Sequence, residues 1–171
     1  MAEDPRFAAI LDRTITPDLY QTILQSWLRH VTNEEKLFVP HTDAESEAAM
    51  KEMLAVFTED CAMDLVYAGQ RWSGHDGARK FYRVFLSSFD RMQWVPQALV
   101  IGPQGVLDVV NMTARLAKPF GGFSNVGGTV SQQWTIYFPW DTGQQKFRGE
   151  IVYGIRPLSP GESVSIPFAQ G

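Results

Sequence analysis

The chain has 171 residues, with 15 Lys and Arg against 19 Asp and Glu, three His, one Cys and a formal charge of −4. One domain of that length buries roughly two-thirds of its unfolded surface. With 20% charged and 12% aromatic residues, the composition excludes a disordered tail and a binder of nucleic acid that relies on clustered Lys and Arg. No apolar run approaches the ~18 residues of a membrane-spanning helix. The acidic start, Met1 to Pro5, lacks the basic and apolar regions of a signal peptide. A lone Cys61 makes no internal disulfide, so the expected compartment is the cytoplasm.

The first helix is signalled by Thr16 as cap, Pro17 at the first helical position and Asp18 against the dipole. Leu19, Tyr20, Ile23, Leu24, Trp27, Leu28 and Val31 then recur along one stripe. Glu34 to Val39 reads equally as a short helix or an ordered loop. A second helix follows Pro40, where Thr42-Asp43-Ala44-Glu45 forms a capping box and Met50, Met53, Leu54 and Phe57 give the buried face. Cys61 to Ala68 predicts a strand, Gly69 to Ser73 its turn, and Gly74 to Phe89 a third helix with Ala78, Phe81, Tyr82, Phe85 and Phe89 on one side. Four longer strands are expected at 94–101, 106–116, 129–138 and 146–155, separated in part by turns at Gly102-Pro103-Gln104-Gly105 and Asp141-Thr142-Gly143. The glycine-rich 119–128 segment predicts a mobile or bulged loop, with a flexible flap over the pocket mouth as the expected use, and 158–171 a surface tail. Helices followed by an antiparallel meander define an α+β fold of one domain over 1–171, with its core at about 16–157.

That order, with Phe57-Thr58-Glu59-Asp60-Cys61-Ala62-Met63-Asp64 and Ser73-Gly74-His75-Asp76-Gly77-Ala78-Arg79-Lys80-Phe81-Tyr82, resembles the nuclear transport factor 2-like superfamily of ketosteroid isomerases and SnoaL-like polyketide cyclases. The resemblance extends from about Asp18 to Pro157. It implies a cone-shaped α+β barrel, in which three N-terminal helices pack on a curved, mostly antiparallel sheet around a deep pocket. It also implies a homodimer paired through the outer sheet face. Asp64 lies near the general-base position of the isomerases, across a one-residue gap. Trp27 stands at the helix-one Tyr position, and the later Asp position falls near Ser131. The cyclases often carry an Asp at the end of the last strand, where this chain reads Tyr153-Gly154-Ile155-Arg156.

Asp64, Asp108 and Glu150 each interrupt an apolar strand. A carboxyl desolvated in that setting holds its proton nearer neutral pH, which suits proton transfer. Strand alternation allows each to face outward instead. Asp108 is inward with Val110 and Met112, and Glu150 with Val152 and Gly154, or else they meet Arg115 and Arg156 in structural ion pairs. Asp64 is the preferred proton carrier. His30, three residues after Trp27, looks into the cavity or lies on a polar helix face. The spread of His30, His41 and His75 lacks metal-ligand spacing, and no cofactor is expected. Trp27, His30, Tyr67, Trp72, Phe85, Phe123 and Tyr153 are the candidate substrate contacts, because an apolar pocket with a few polar handles suits a bulky hydrophobic ligand. The expected function is acid–base chemistry (isomerisation, cyclisation or dehydration) on a polyketide, terpenoid or steroid-like molecule. The other reading is a non-catalytic binding or association module on the same scaffold.

Overall fold

The computed structural model describes residues 14–38 and 42–159. Helix α1 spans Pro17–Leu37 and opens where Thr16 Oγ1 accepts the Leu19 N–H at 3.2 Å. It continues through the Glu34 region, and its buried face is Ile23, Trp27, His30, Asn33 and Leu37. Helix α2, Asp43–Leu54, has the reciprocal capping box: Thr42 Oγ1 accepts from Glu45 N–H, and the Thr42 N–H donates to Glu45 Oε2 at 2.8 Å. Helix α3, Gly74–Ser88, buries Ala78, Phe81, Tyr82 and Phe85 at the i, i+3, i+4, i+7 spacing of one stripe.

Six strands complete the fold: β1 (Phe57–Leu65), β2 (Gln70–Ser73), β3 (Phe89–Gly102), β4 (Gly105–Leu116), β5 (Thr129–Asp141) and β6 (Lys146–Pro157). They form one sheet in the order β2-β1-β6-β5-β4-β3. Every pairing is antiparallel except β1 with β6. The architecture is the expected α+β arrangement of three helices and a mostly antiparallel sheet. Several boundaries differ: β3 begins at Phe89 and not at 94, and Phe57, expected on the face of the second helix, opens β1. The strand expected at 61–68 begins at Phe57 and ends in a single 3-10 turn at Val66–Ala68. The segment expected as a turn, Gly69 to Ser73, contains β2, which returns along β1 with Asp64 opposite Arg71.

Register fixes which side chains face the helices. Val106, Asp108 and Val110 on β4 stand opposite Phe138, Ile136 and Trp134 on β5, and all six are buried. Ile136 in turn faces Val152 of β6. The alternate row of Val100, Leu107, Tyr137 and Ile151 crosses the same strands on the other face. Trp134 is therefore an inward residue, only 2% exposed. Its parity along β5 matches Ile136 and Phe138, not Tyr137.

The segment after β4 is tied down. Phe120 and Phe123 exchange backbone hydrogen bonds, Gly127 N–H donates to Leu116 O at 2.7 Å, and the Phe120 ring packs against Phe81, Phe85 and Phe89. The mobile flap expected there is instead a pinned loop, because its aromatic side chains belong to the core. The expected surface tail falls almost wholly outside the described residues.

Candidate functional site

A cavity of about 320 Å³ opens between α1, α3 and the inner face of β3 to β6. Its apolar walls include Trp27 of α1, the C-cap residue Phe38 that follows it, Phe81 and Phe85 of α3, Trp94 of β3, Val110 of β4, and Trp134, Ile136 and Phe138 of β5. Each comes from the inward stripe of its element, so the wall is core left unfilled. Phe85 meets Trp94 and Trp134 at ring-centroid distances of 6.1 and 6.3 Å, and Trp94 meets Trp134 at 5.9 Å. Edge-on and tilted pairs of this kind favour a rigid wall.

Into this apolar space project His30 and Glu34 from α1, Asp108 from β4 and Glu150 from β6, while Glu35, an exposed residue of α1, also lines it. His30 and Glu34 are one turn apart, and His30 Nε2 lies 3.6 Å from Glu34 Oε2 and 3.9 Å from Glu150 Oε2. Tyr82 donates its hydroxyl proton to Glu150 Oε2 at 2.6 Å. The His30 ring is packed between Phe57 and Phe138, with centroids 5.3 and 5.2 Å away. His30, Asp108 and Glu150 are all buried, and neither His30 Nδ1 nor Asp108 Oδ1 meets a partner.

Burial governs the protonation of this group. It takes the His30 imidazole down to about 3, so the ring is neutral near pH 7. It pushes Asp108 up to about 7. Glu150 also rises to about 7; burial is the main cause, Asp108 adds repulsion, and the Tyr82 hydrogen bond opposes both. Glu34 is raised well above the carboxylate range by burial, then by repulsion from Glu150, Asp108 and Glu35. Glu34 and Glu150 interact closely enough that their protons belong to the cluster and not to either residue. Such a group can take up and return a proton near neutral pH. Among the described residues, no three His, Cys, Asp or Glu side chains are arranged as metal ligands.

The structure brings Trp27, His30, Phe85, Asp108 and Glu150 together at the cavity. Asp64, expected as the proton carrier, stands elsewhere. Its carboxylate pairs with Arg71 at 3.0 Å across the β1–β2 hairpin, on the side of the strand opposite buried Met63 and Leu65. Four expected contacts also fall outside the lining. Tyr67 and Phe123 pack against Trp134, at 6.1 and 6.5 Å, and brace that wall from behind. Trp72 packs on Phe81 at 5.2 Å. Tyr153 is 54% exposed and stacks on Tyr137 on the outer face.

Glu34, Glu35 and Tyr82 are the ionisable members that sequence reasoning missed. Glu34 follows Trp27 and His30 at i+7 and i+4, so the stripe itself carried the signal once the helix is continued past Val31. Tyr82 sits in an apolar helical stripe, where a tyrosine reads as ordinary core.

Comparison with known proteins places this geometry. The model of the SnoaL-like domain matches residues 40–156. No curated protein matches the sequence. Among solved structures, a proposed SnoaL-like polyketide cyclase from Jannaschia sp. CCS1 is similar at 16% identity and a TM-score of 0.62, covering 82% of this chain and 90% of its own. An NTF2-like protein from Burkholderia xenovorans LB400 gives 15%, 0.60, 85% and 97%. The BvnE pinacolase of Penicillium brevicompactum gives 12%, 0.55, 81% and 86%. At these identities the likeness is one of fold, and the fold is NTF2-like.

Proposed function

The chain belongs to the SnoaL-like domain family, and from that premise we propose that it binds a bulky, largely apolar small molecule and performs acid–base chemistry on it. Isomerisation, cyclisation and dehydration are the reactions in view, without a redox cofactor. One observation carries the reading: a hydrogen-bonded ionisable cluster is buried in the wall of an aromatic cavity. A pocket meant only to hold an apolar ligand gains nothing from desolvating three carboxyls, which costs stability.

In this reading Asp108, ionised, removes a proton from a carbon next to a carbonyl. The resulting enolate is met by N–H or O–H donors, for which His30 Nδ1 and the unpartnered indole N–H groups of Trp27 and Trp134 are at hand. Protonated Glu150, held in place by the Tyr82 hydroxyl, returns a proton. Delivered to another carbon it completes an isomerisation; delivered to a leaving hydroxyl it releases water. Either way one proton is taken and one given, and the cluster resets by internal transfer. The reading also includes a homodimer paired through the outer sheet face.

Proton–deuteron exchange at the α-carbon of β-tetralone in D2O, followed by NMR, tests the chemistry without the natural substrate. The protein should accelerate exchange, and Asp108→Asn should lower that acceleration by about 10²–10⁴-fold. A bound tetralone whose exchange is not accelerated would favour the binding module instead.

A further inference from the structure

The charged groups of the cavity share one sign. Glu34, Glu35, Asp108 and Glu150 line it, and among the described residues no Lys or Arg does. Nearby cations on α1 are engaged elsewhere: Arg29 with Glu52, and Lys36 with Asn33 Oδ1 at 3.0 Å. His30 adds no charge while its ring is neutral. Asp108 is only 8% exposed, lines the cavity and leaves Oδ1 without a donor. A buried carboxyl that lacks both counter-charge and donor holds its proton until something else supplies them. The walls beside it are the rings of Trp27, Trp94, Trp134 and Phe85, whose faces carry negative quadrupole potential.

We propose that the cavity takes an organic cation, an amine carried on a bulky apolar body, with its ammonium among Asp108, Glu150 and the aromatic rings. This rests on the cavity being the ligand site and adds the ligand's charge to that reading. An ammonium supplies the missing counter-charge and the missing donor together, and the rings accept its positive face. A carboxylate or phosphate would place a further negative charge against four acidic side chains. A neutral ligand would supply no counter-charge to Asp108 or Glu150 once either ionises near pH 7.

The groups that face the cation are His30, Glu34 and Glu35 of α1, Tyr82 of α3, Asp108 of β4 and Glu150 of β6. In the empty cavity, burial and mutual repulsion keep protons on the carboxyls. A bound ammonium takes the place of such a proton and expels it. Affinity for an amine therefore rises with pH, by up to about tenfold per pH unit for each proton displaced, through the region near 7 where Asp108 and Glu150 ionise.

Calorimetry with three probes of one shape decides the matter: naphthylmethylamine, naphthylmethanol and naphthoate. At about pH 7.5 the amine should bind at least about tenfold more tightly than the alcohol, a margin within reach of a desolvated cation–π and carboxylate site, and naphthoate should bind weakest. The amine's affinity should fall by at least about tenfold on going to about pH 5.5, with the alcohol's unchanged. Asp108→Asn should erase the amine's advantage over the alcohol. Equal or tighter binding of the alcohol or naphthoate overturns the proposal and leaves the cavity as the ligand site. Failure of all three probes to bind at millimolar concentration overturns the cavity reading and this proposal with it. Should Asp108→Asn not fold, the unaltered protein still decides, because an amine affinity that is flat with pH overturns the proposal.

Discussion

Asp108 and Glu150 are held near 7 in the folded chain, far above ordinary carboxyls, and that sets a pH dependence of stability. Each binds its proton more tightly folded than unfolded, so each contributes stability below its unfolded pKa and loses it as pH rises towards 7. Glu34 acts in the same direction. His30 acts in the opposite one: with its folded pKa depressed to about 3, it favours folding above its unfolded value and loses that as pH falls. Three carboxyls outweigh one imidazole, so stability should decline from about pH 5 to about pH 8, by about 1.4 kcal/mol per pH unit per excess proton. Urea midpoints across that range would show it. Asp108→Asn should make the decline shallower by the share of one proton, and an unchanged slope would remove Asp108 from the account. Tyr82→Phe tests the neighbouring contact. Loss of the donor to Glu150 should cost about 1–3 kcal/mol in urea unfolding and raise the pH at which the carboxyl ionises.

The crossing of β1 and β6 is where an element-level constraint reaches the site. Gly149 has φ +141°, and a Cβ there would lie 1.9 Å from the Ala62 carbonyl oxygen on β1. Only glycine lets the two parallel strands meet at this point, and Glu150 is the next residue, opposite Met63. Gly149→Ala should therefore destabilise the fold by about 2–3 kcal/mol, read as a lower urea midpoint. The sequence announced the helices because their signals are local: the Thr42 to Glu45 capping box and the apolar stripe of α3 depend on neighbours four residues away. Strand β2 has no such signal. Gln70, Arg71 and Ser73 are exposed, so no apolar alternation marks it, and its pairing with β1 depends on the turn before it. Strand facing was legible only in part. Asp108 and Glu150 were correctly tied to the parity of Val110 and Val152, but Asp64 had two faces open, and its contact with Arg71 required a strand that sequence pattern did not reveal. The loop after β4 misled for a related reason. Its glycines suggested freedom, while Phe120 and Phe123 anchor it to a core assembled from distant elements. Slow amide exchange at Phe120 and Gly127 in the free protein should confirm that anchoring.

At the scale of the whole molecule, the sheet has one face committed to the cavity and the other available for assembly. Val100, Leu107, Tyr137 and Ile151 form a row across β3 to β6, with Val100 59% exposed and Leu107 37%. Tyr153 extends it, stacked on Tyr137. In the dimer reading this apolar row is the interface, and two-fold self-pairing is the commonest closed symmetry. Light scattering at micromolar concentration should give a particle of twice the 19.3 kDa chain. Replacing Val100 and Leu107 together by Glu places like charges on both sides of the two-fold contact, so that variant should run at 19.3 kDa with an unchanged circular dichroism spectrum. Strand alternation adds a sharper requirement. Leu107 faces out where Asp108 faces in, and Tyr137 faces out where Ile136 faces in, so the two faces share strands but no side chains. The double variant should then bind naphthylmethanol as tightly as the unaltered chain. A monomeric unaltered protein would end the dimer reading, and a monomeric variant that lost the probe would show that the cavity depends on the partner copy.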